Sequence, residues 1–449
     1  MRRHITIVAV LFVVAVAAVV AYLGWPDTAR LPIAAVEGGH PRITAPREQT
    51  IPTVGVARAI GWQGSAKPVA APGLTVAAFA TGLDHPRWLY RLPNGDVLAA
   101  ESNSPRRDGG GIAGLVMRWL MDRGGAGSPS ADRITLLRDA NGDGVAETRT
   151  TFLTGLHSPC GMALIGKWLY IGDTDAVVRV PYAAGETHVE TRPELVVKLA
   201  GGGNHWARNL LAAPDGRTLF VTVGSSTNIA ENGMDAERYR ANILQVFPDA
   251  KTFRIYAAGL RNPNGMAFEP HSGNLWTVVN ERDMLGSDLA PDYLTQVEFG
   301  DHFGWPWYYW GGYPDPRIPE ADRNPALQQY AKRPDFAMGP HVAALGLAFA
   351  GDAKLGGAYA NGAFVGEHGS WNRKPVSGYK VVYVPFAGVG FPASSVKPVD
   401  VLTGFLDADG RAQGRPVGVI TDRSGALLVA DDVGDRVWRV SAAARLSAR

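Results

Sequence analysis

The chain has 449 residues, of which 46% are hydrophobic and 19% charged, so it can bury a large core and is not a disordered protein. Its 54 glycines and 31 prolines are spread along the whole length, which predicts many turns between short strands and favours an all-β fold over a helical one. The formal net charge is only +2, which indicates no nucleic-acid partner.

The N-terminus combines a basic start, Met1-Arg2-Arg3-His4, with an apolar run over residues 5–23. This pattern predicts export, and residues 1–23 fit either a cleaved signal peptide or an uncleaved membrane anchor. Both alternatives stay open. Both place the rest of the chain in the periplasm or outside the cell, anchored in the inner membrane if the run is retained.

Residues 24–72 are rich in proline, alanine, glycine and threonine and lack sustained apolar periodicity, which predicts a partly ordered linker. We expect the folded domain to cover residues 73–441. Cys160 is the single cysteine, so the domain contains no internal disulfide, and no cysteine near the apolar run could carry a lipid.

A loose unit of a glycine- or proline-containing turn followed by short apolar strands recurs six times after residue 82. Clear copies are HPRWLYRLPNGDVLAAES, NHWARNLLAAPDGRTLFVTVGSS, GLRNPNGMAFEPHSGNLWTVVNERD and GRPVGVITDRSGALLVADDVGDRVWRV. Six such units predict a six-bladed β-propeller, in which radial repetition buries both faces of each sheet. The strand LTVAAFA at residues 74–80 could pair into the last blade and close the ring. Two stacked sheets are the alternative fold.

Two segments interrupt this repeat. Residues 109–127 carry apolar side chains at helical spacing between glycines, which predicts a short helix inserted in a loop. Residues 303–317, FGWPWYYWGGYPDPR, are too rich in proline for a regular strand. This aromatic stretch could form a pocket wall or an ordinary packed loop.

His205 follows three glycines and precedes a strand, at the position where the innermost strand of a blade begins. A histidine there could accept the hydroxyl proton of a substrate, because its imidazole titrates near neutral pH. A hydrogen-bonded structural histidine is the alternative.

Basic and amide side chains occupy corresponding loop edges in three other units. Arg261 and Asn262 stand in blade four where His205 stands in blade three, and arginine and asparagine together suit a polycarboxylate ligand. Asn372, Arg373 and Arg415 lie at the equivalent edges of blades five and six. Their convergence would indicate an anionic ligand on the axis, whereas each alone could be a turn cap or a surface ion-pair residue.

Asp139, Asn141 and Asp143 have the spacing of the first ligands of a calcium loop, with Gly144 at the sixth position for the turn. The twelfth position is Thr150 instead of glutamate, and no helix pair flanks the loop. A weak structural calcium site and a simple Asp/Asn turn are both compatible with this pattern.

Taken together, several stretches resemble the PQQ-dependent glucose/sorbosone dehydrogenase family, nearest its sorbosone dehydrogenase-like branch. They are LLRDANGDGVAETR, GLHSPCGMAL, NHWARNLLAAPDG, GLRNPNGMAFEP, LWTVVNERD, GEHGSWNRKPVSGYKVV and GRPVGV, and the match covers about residues 73–440. The resemblance implies a six-bladed propeller that holds pyrroloquinoline quinone (PQQ) and a calcium ion at the top of the central axis. It also implies oxidation of an aldose or related hydroxy-aldehyde by hydride transfer to the quinone.

The resemblance also implies roles for individual residues. His205 would be the general base and Arg261 would stabilise the quinone oxygen, while cofactor contacts would come from Asn262, Asn372, Arg373, Gln413 and Arg415. The sequence departs from the family at three places. Arg282 and Asp283 replace a Gly-Pro pair whose carbonyls bind calcium, Asn372 followed by Arg373 replaces a lysine, and Gln413 stands where a second arginine is expected.

Two further functions remain alternatives. One is a non-catalytic propeller that binds a carbohydrate or a protein on the same face. The other is a calcium-dependent propeller lactonase, which needs axial carboxylates and is disfavoured by an arginine-rich axis. As a dehydrogenase, the protein would take a small sugar or aldehyde substrate and pass electrons to an acceptor that the sequence does not identify.

Overall fold

A computed structural model describes residues 26–49, 51–105, 111–388 and 390–443, together with the isolated Val14. The predicted signal or anchor over residues 1–23 lies outside the described residues, apart from Val14. Among the residues that the structure describes, no helix is long and apolar enough to span a membrane.

Two strands precede blade one, the two-residue β1 (Val69–Ala70) and the eight-residue β2 (Leu74–Thr81). Blade one contains β3 (Pro86–Arg91), β4 (Val97–Glu101), β5 (Arg133–Arg138) and β6 (Thr148–Leu153). Blade two contains β7 (Met162–Ile165), β8 (Trp168–Asp173), β9 (Ala176–Pro181) and β10 (Glu194–Lys198). Blade three contains β11 (Leu210–Ala212), β12 (Leu219–Val223), β13 (Asn242–Phe247) and β14 (Thr252–Ala258).

Blade four contains β15 (Pro263–Phe268), β16 (Leu275–Val279), β17 (Pro291–Val297) and, after the small hairpin of β18 (Tyr308–Tyr309) and β19 (Tyr313–Pro314), β20 (Phe336–Pro340). Blade five contains β21 (Ala344–Phe349), β22 (Gly362–Glu367), β23 (Lys380–Ala387), the short β24 (Phe391–Pro392) and β25 (Val399–Thr403), to which β1 adds. Blade six contains β26 (Pro416–Thr421), β27 (Leu427–Asp431) and β28 (Arg436–Ala442).

Helices are few in the described chain. They are α1 (Gly111–Gly124), α2 (Leu327–Tyr330) and single 3-10 turns at Ile33–Ala35, Met234–Glu237, Glu320–Asp322, Ala350–Asp352 and Gly357–Tyr359. Helix α1 lies between β4 and β5, which confirms the helix predicted within residues 109–127. In the stretch 303–317, the hairpin of β18 and β19 is accompanied by several buried aromatic side chains.

The six sheets form a six-bladed β-propeller, as predicted, and the N-terminal strand closes it. Strand β2 pairs antiparallel with β28, from Leu74 opposite Ala442 to Thr81 opposite Arg436. The last blade is therefore a four-stranded sheet built from both ends of the domain, which closes the ring of blades.

The hydrophobic core lies between neighbouring blades instead of in one central cluster. For example, Trp276 and Leu294 of blade four pack in one cluster with Val365 and Val382 of blade five. Each blade thus buries apolar residues on both faces, which explains why its strands read as apolar runs and not as a clean apolar-polar alternation.

The innermost strands approach one another so closely that glycine is required. A Cβ atom on Gly346 would lie 2.1 Å from the carbonyl oxygen of Val417 in the next blade. A Cβ atom on Gly265 would lie 2.7 Å from the backbone of Leu345 and of Leu347. Close backbone approach around the axis is therefore the physical reason for the recurring glycine of the GMAL, GMAF and GLAF sequences.

The propeller has two faces. The upper face, as we call it, is formed by the loops that precede each innermost strand and by the loops that join the second and third strands of each blade. The turns between the first and second strands and between the third and fourth strands form the lower face. Successive antiparallel strands reverse direction, so these two sets of loops lie at opposite edges of every blade.

The described part of the expected linker packs against the upper face. The indole of Trp62 is buried and donates to Asp431 of blade six, and the backbone N–H of Gly55 donates to the carbonyl of Trp371 in blade five. The Asp27 carboxylate accepts a hydrogen bond of 2.6 Å from the Ser287 N–H of blade four. Composition predicted a partly ordered linker here, whereas residues 26–49 and 51–72 contact three blades. These contacts are made by Trp62 and by backbone amides, and composition does not reveal them.

Candidate active site

The loops that lead into the innermost strands bring the candidate side chains to the upper face. Arg261 and Asn262 directly precede β15, Arg415 directly precedes β26, and His205 lies five residues before β11. The proline that starts β15 and the proline that starts β26 fix the backbone at these entries, since proline restricts its own φ and the conformation of the residue before it.

His205 is half-buried and has a defined ring orientation. Its Nδ1 lies 2.8 Å from the carbonyl oxygen of Ser225 and 3.1 Å from the Ser225 hydroxyl, which itself donates to the carbonyl of Thr227. Because a carbonyl oxygen can only accept, Nδ1 carries the proton in the neutral ring and Nε2 carries the lone pair. This tautomer can accept a proton at Nε2.

Arg261 is buried, and both ends of its guanidinium group are held. Nη1 donates to the carbonyl of Glu281 at 2.6 Å and to the side chain of Asn280 at 3.0 Å. Nη2 donates to Asn228 Oδ1 and to Asp283 Oδ2, both at 2.9 Å. The buried Nε has no hydrogen-bond partner among the described residues. The guanidinium group is therefore fixed in place by its two Nη atoms.

Asp283 links Arg261 to a second histidine, His341, whose Nδ1 lies 3.5 Å from Asp283 Oδ1 and whose Nε2 lies 3.1 Å from the carbonyl of Gly286. Burial opposes the charge of the Asp283 carboxylate, but Arg261, His341 and His205 outweigh it and lower its pKa. Burial likewise opposes protonation of His341, yet Asp283 and the Gly286 carbonyl raise its pKa. The pair thus favours a carboxylate beside an imidazolium.

Asp292 supports the loops that carry these groups. One of its oxygens accepts the Glu281 N–H and the other accepts the Ala343 N–H, both at 2.7 Å. Burial raises the pKa of Asp292 to about 7 despite these donors. Asp292 therefore fixes the backbone next to both Arg261 and His341 across blades four and five.

A second group of charges, Arg87, His368 and Asp432, joins blades one, five and six. Asp432 forms a short contact with Arg87 Nη1 and a 2.8 Å contact with His368 Nε2. Burial lowers the pKa of His368 to about 4, whereas His368 and Arg87 hold the pKa of Asp432 well below its usual range, although burial works against the carboxylate charge. Arg87 also lies 5.5 Å from the ring centre of Trp206, and its buried Nε has no partner.

Arg415 is buried beside Tyr379. Its Nη2 donates to the Tyr379 hydroxyl at 2.8 Å, and the guanidinium lies 5.0 Å from the centre of the Tyr379 ring. Its Nε, like those of Arg87 and Arg261, is buried without a partner. Its backbone N–H donates to Asp431, which also accepts the Trp62 indole, so the N-terminal segment and Arg415 share one anchoring carboxylate.

The remaining predicted cofactor contacts are engaged with the protein. Asn372 is fully buried and bonds the Met284 N–H at 2.7 Å and the Thr53 carbonyl at 3.0 Å, and Arg373 donates to the carbonyls of Ser287 and Pro375. Gln413 donates to the Gly404 carbonyl at 3.3 Å. The side-chain oxygen of Asn262 packs against Gly224, where a Cβ atom would lie 2.3 Å away. Asn372, Arg373 and Gln413 thus fasten loops, and the cofactor roles of all four residues stay predictions.

The two residues predicted to offer calcium-binding carbonyls have other contacts. The Asp283 carbonyl accepts hydrogen bonds from Asn228 Nδ2 at 3.0 Å and from Arg317 Nη1 at 2.8 Å. The Arg282 side chain is fully buried and pairs with Glu281 and Asp315. With both lone pairs of the Asp283 carbonyl engaged, this geometry does not fit a calcium ligand there, and the role of the pair stays a prediction.

The loop with calcium-like spacing lies on the lower face, in the turn between β5 and β6. Carboxylate oxygens of Asp139, Asp143 and Glu147 come within 4.8 Å of one another. Asp139, Asn141 and Asp143 also accept backbone N–H groups of their own loop, as in a simple Asx turn. Both alternatives for this loop therefore remain, and it is remote from the upper-face site.

The sequence analysis missed His341, Arg87, His368 and Asp432. Arg87 had a signal, since it directly follows the Gly-Leu-x-x-Pro sequence of residues 82–86, which recurs at residues 259–263 in the entry of blade four. His341 precedes β21, but the blade-five repeat was recognised only from residue 345, because no proline marks its entry. His368 and Asp432 follow the ends of second strands, so comparing these upper-face loops across blades could have identified them.

The donor set fits an anionic cofactor with several oxygen acceptors. Arg87, Arg261 and Arg415, from blades one, four and six, each have a buried Nε without a partner among the described residues, as does Arg208 of blade three, and an unpaired buried donor costs free energy. Their charges exceed those of the two carboxylates, Asp283 and Asp432, that pair with them. A multiply charged group with carboxylate and quinone oxygens, such as PQQ, would satisfy these donors.

Comparison with solved structures agrees with the fold. The chain is similar to a carbohydrate-active enzyme of family AA12 from Trichoderma reesei, with 19% identity, a TM-score of 0.67 and coverage of 84% of this chain and 98% of that chain. It is also similar to the holo form of the pyranose dehydrogenase PQQ domain from Coprinopsis cinerea, with 20% identity, a TM-score of 0.65 and coverage of 85% and 98%.

Sequence relatives include an uncharacterized protein of Borreliella burgdorferi, 28% identical over 301 residues that cover 65% of this chain and 77% of that protein. The aldose sugar dehydrogenase YliI of Escherichia coli is 30% identical over 133 residues, 26% of this chain and 34% of that enzyme. The predicted resemblance to PQQ-dependent sugar dehydrogenases is thus confirmed. The TrAA12-like family model matches residues 128–298 and 314–443, from β5 to β28 and over more than half of the chain, and the protein therefore belongs to the TrAA12-like family.

Proposed function

We propose that the protein is a PQQ-dependent sugar dehydrogenase whose cofactor binds on the upper face. The observation that carries this proposal is the placement of Arg87, Arg261 and Arg415 on the upper face, each with a buried Nε that has no hydrogen-bond partner among the described residues. Similarity to a pyranose dehydrogenase PQQ domain and to a PQQ-bound aldose sugar dehydrogenase of Streptomyces coelicolor supports the same conclusion.

Bound PQQ would supply a quinone that accepts a hydride from carbon. The chain supplies the base, because His205 can take the substrate hydroxyl proton at Nε2 while its Nδ1–H stays bonded to Ser225. As the hydride leaves the substrate carbon, the hydroxyl loses its proton and becomes a carbonyl. His205 therefore holds the proton, and the two electrons pass with the hydride.

The arginines bind and orient the cofactor. Arg261, which Asp283 and Asn228 hold in place, would face the quinone oxygens of the cofactor. Arg87 and Arg415 would bind the carboxylates of the cofactor. Asp432 and Tyr379 keep these last two guanidinium groups in place. Fixed donors reduce the entropy lost when the ligand is bound.

We also propose that PQQ binds together with a divalent cation. A calcium structure exists among the AA12 neighbours, which supports calcium as the first ion to try. The Asp283 carbonyl is engaged, so we route no step through a calcium ion at that position.

The substrate that we propose is an aldose or a related hydroxy-aldehyde, oxidised outside the cytoplasm. The basic start and the apolar run over residues 5–23 support export, with the run retained as an anchor or removed as a signal. The electron acceptor would then be a component of the periplasm or of the membrane.

A dye-reduction screen tests this function. The full chain is loaded with PQQ in excess Ca²⁺ and offered a panel of aldoses, hydroxy-aldehydes and, as a control, lactones. Sugar-dependent dye reduction that requires PQQ is the expected result. Sugar or protein binding without turnover would favour the non-catalytic propeller, and hydrolysis of a lactone without dye reduction would favour the lactonase.

A further inference from the structure

Helix α1 exposes an apolar stripe to solvent. Leu115, Val116 and Trp119 retain 60%, 51% and 59% of their surface, although such side chains are usually buried. Residues at positions i, i+1 and i+4 lie on one side of a helix, so the three side chains form one patch. We call these three residues the α1 patch.

Arginines flank the α1 patch. Arg123 lies 5.7 Å from the ring centre of Trp119, and Arg118 is exposed on the same helix, against a single acidic residue, Asp122. Tryptophan and leucine next to arginine are the composition of helices that lie in the interface of an anionic bilayer, where the apolar side enters the acyl region and the cations meet phosphates.

The helix projects from the upper face. Its last turn ends at Gly125, which has a φ of 85°, and the Ala59 N–H donates to the carbonyl of Arg123 at 2.8 Å. A Cβ atom on Gly124 would lie 3.8 Å from Arg415 Nη1. The α1 patch therefore belongs to a helix whose C-terminal end adjoins the proposed cofactor site.

The apolar run of the N-terminus is connected to the same face. The run ends at Leu23, three residues before Pro26, and three residues of extended chain reach at most about 10 Å. Asp27 is then fixed by Thr53 and Ser287, and Val56, three residues after Thr53, contacts the end of α1. A membrane that holds the run would therefore lie near the part of the upper face that carries Asp27 and the C-terminal end of α1.

We propose that the α1 patch docks on the surface of an anionic lipid bilayer, beside the N-terminal run. The proposal rests on membrane attachment of that run. Attachment through two points would orient the upper face toward the membrane, so that electrons leaving the site have a short path to a lipid-soluble acceptor.

Site-specific labelling of the full chain tests this docking. Cys160 is buried and burial raises the pKa of its thiol to about 12, so a thiol-reactive, polarity-sensitive fluorophore will label an introduced cysteine selectively. Leu115→Cys places the label in the α1 patch, and Ala250→Cys places it at an exposed turn of the lower face. Both variants are incorporated into phosphatidylglycerol-rich vesicles with and without brominated lipid.

The expected result is that both variants float with the vesicles but only the Leu115→Cys label shifts to the blue and loses most of its emission with brominated lipid. Flotation with an unquenched Leu115→Cys label would overturn docking and leave the anchor intact. A blue shift without lipid quenching would also overturn it, because the run itself or a second copy would then cover the patch.

Two further results separate this proposal from the others. Failure of the chain to float would reject both the anchor and the docking of α1. PQQ affinity is measured on the same labelled protein, and we expect no change from the unlabelled chain because Leu115 is exposed and is not one of the proposed cofactor-binding residues. If the wild-type chain does not bind PQQ, the proposed function is rejected, whereas the quenching result is unaffected.

Discussion

His205 and His341 precede the innermost strands of blades three and five, and their Nδ1 atoms have different partners. The Nδ1 of His205 faces a neutral carbonyl, whereas that of His341 faces the Asp283 carboxylate, which helps to raise the pKa of His341. A carboxylate partner stabilises the imidazolium. We therefore expect His341 to hold its proton and contribute positive charge, while His205 exchanges the substrate proton.

His205→Ala tests this division. A positioned general base is worth about a hundredfold to ten-thousandfold in rate, so we expect kcat of the dye-linked reaction to fall by that factor while PQQ affinity changes little. His188→Ala, a substitution at an exposed histidine in the loop between β9 and β10, is the control and should leave kcat unchanged. Near-normal turnover of His205→Ala would assign His205 a structural role.

The His341→Gln substitution tests whether the positive charge of His341 stabilises the fold in a pH-dependent way. Because the folded pKa is raised, the protonated ring stabilises the fold fully below about pH 6.5, and this contribution is lost as the pH rises through the folded value. Chemical denaturation should therefore show a larger loss of unfolding free energy for His341→Gln near pH 5.5 than near pH 9. An equal loss at both pH values would mean that the ring contributes packing alone.

At the scale of strands and loops, close approach at the axis places glycine at fixed positions. The Gly346→Ala substitution should destabilise the domain by about 1–3 kcal/mol or more, because its Cβ would overlap the Val417 carbonyl. Gly357→Ala is the matched control, since a Cβ atom there meets no atom within 4 Å. Denaturant unfolding measures both variants, and equal stability would contradict the account of the axis.

Ring closure by β2 gives a second test at this scale. Val76 is buried in a core cluster shared by blades five and six, whereas Ala77, the next residue of the strand, is exposed. Val76→Asp places an unpaired charge in the closing sheet and should reduce the unfolding free energy by about 3 kcal/mol or more, whereas Ala77→Asp should have a small effect. Similar values for the two variants would indicate that closure contributes little to stability.

The strand pattern allowed the blades to be predicted, and the blade that departs from this pattern is the one whose entry histidine was missed. Turn signals and short apolar strands located the repeats, and blades two, four and six also share a Pro-x-Gly entry, at residues 159–161, 263–265 and 416–418. Blade five lacks the proline, and its entry residues His341 and Ala343 have positive φ values of 60° and 54° instead, which periodicity does not reveal. His341 was therefore assigned to no blade.

At the scale of the whole molecule, the site depends on contacts between distant parts of the chain. Arg87 and Asp432 are 345 positions apart and meet because blade one adjoins blade six. The sequence predicted His205, Arg261 and Arg415 as upper-face residues, but it could not show that Asn372 and Arg373 face Thr53 and Ser287. That depends on how residues 26–49 and 51–62 cross the face, which composition does not determine.

The central claim is that the upper face binds PQQ through its converging arginines. Its most direct test is calorimetric titration of the purified chain with PQQ, with and without Ca²⁺, for the wild type, for Arg415→Gln and for the exposed control Arg217→Gln. We predict cation-dependent binding to the wild type and to Arg217→Gln, and an affinity roughly tenfold to a hundredfold lower for Arg415→Gln, as expected for one charge-assisted hydrogen bond. No binding of PQQ to the wild type in excess Ca²⁺ would contradict the claim.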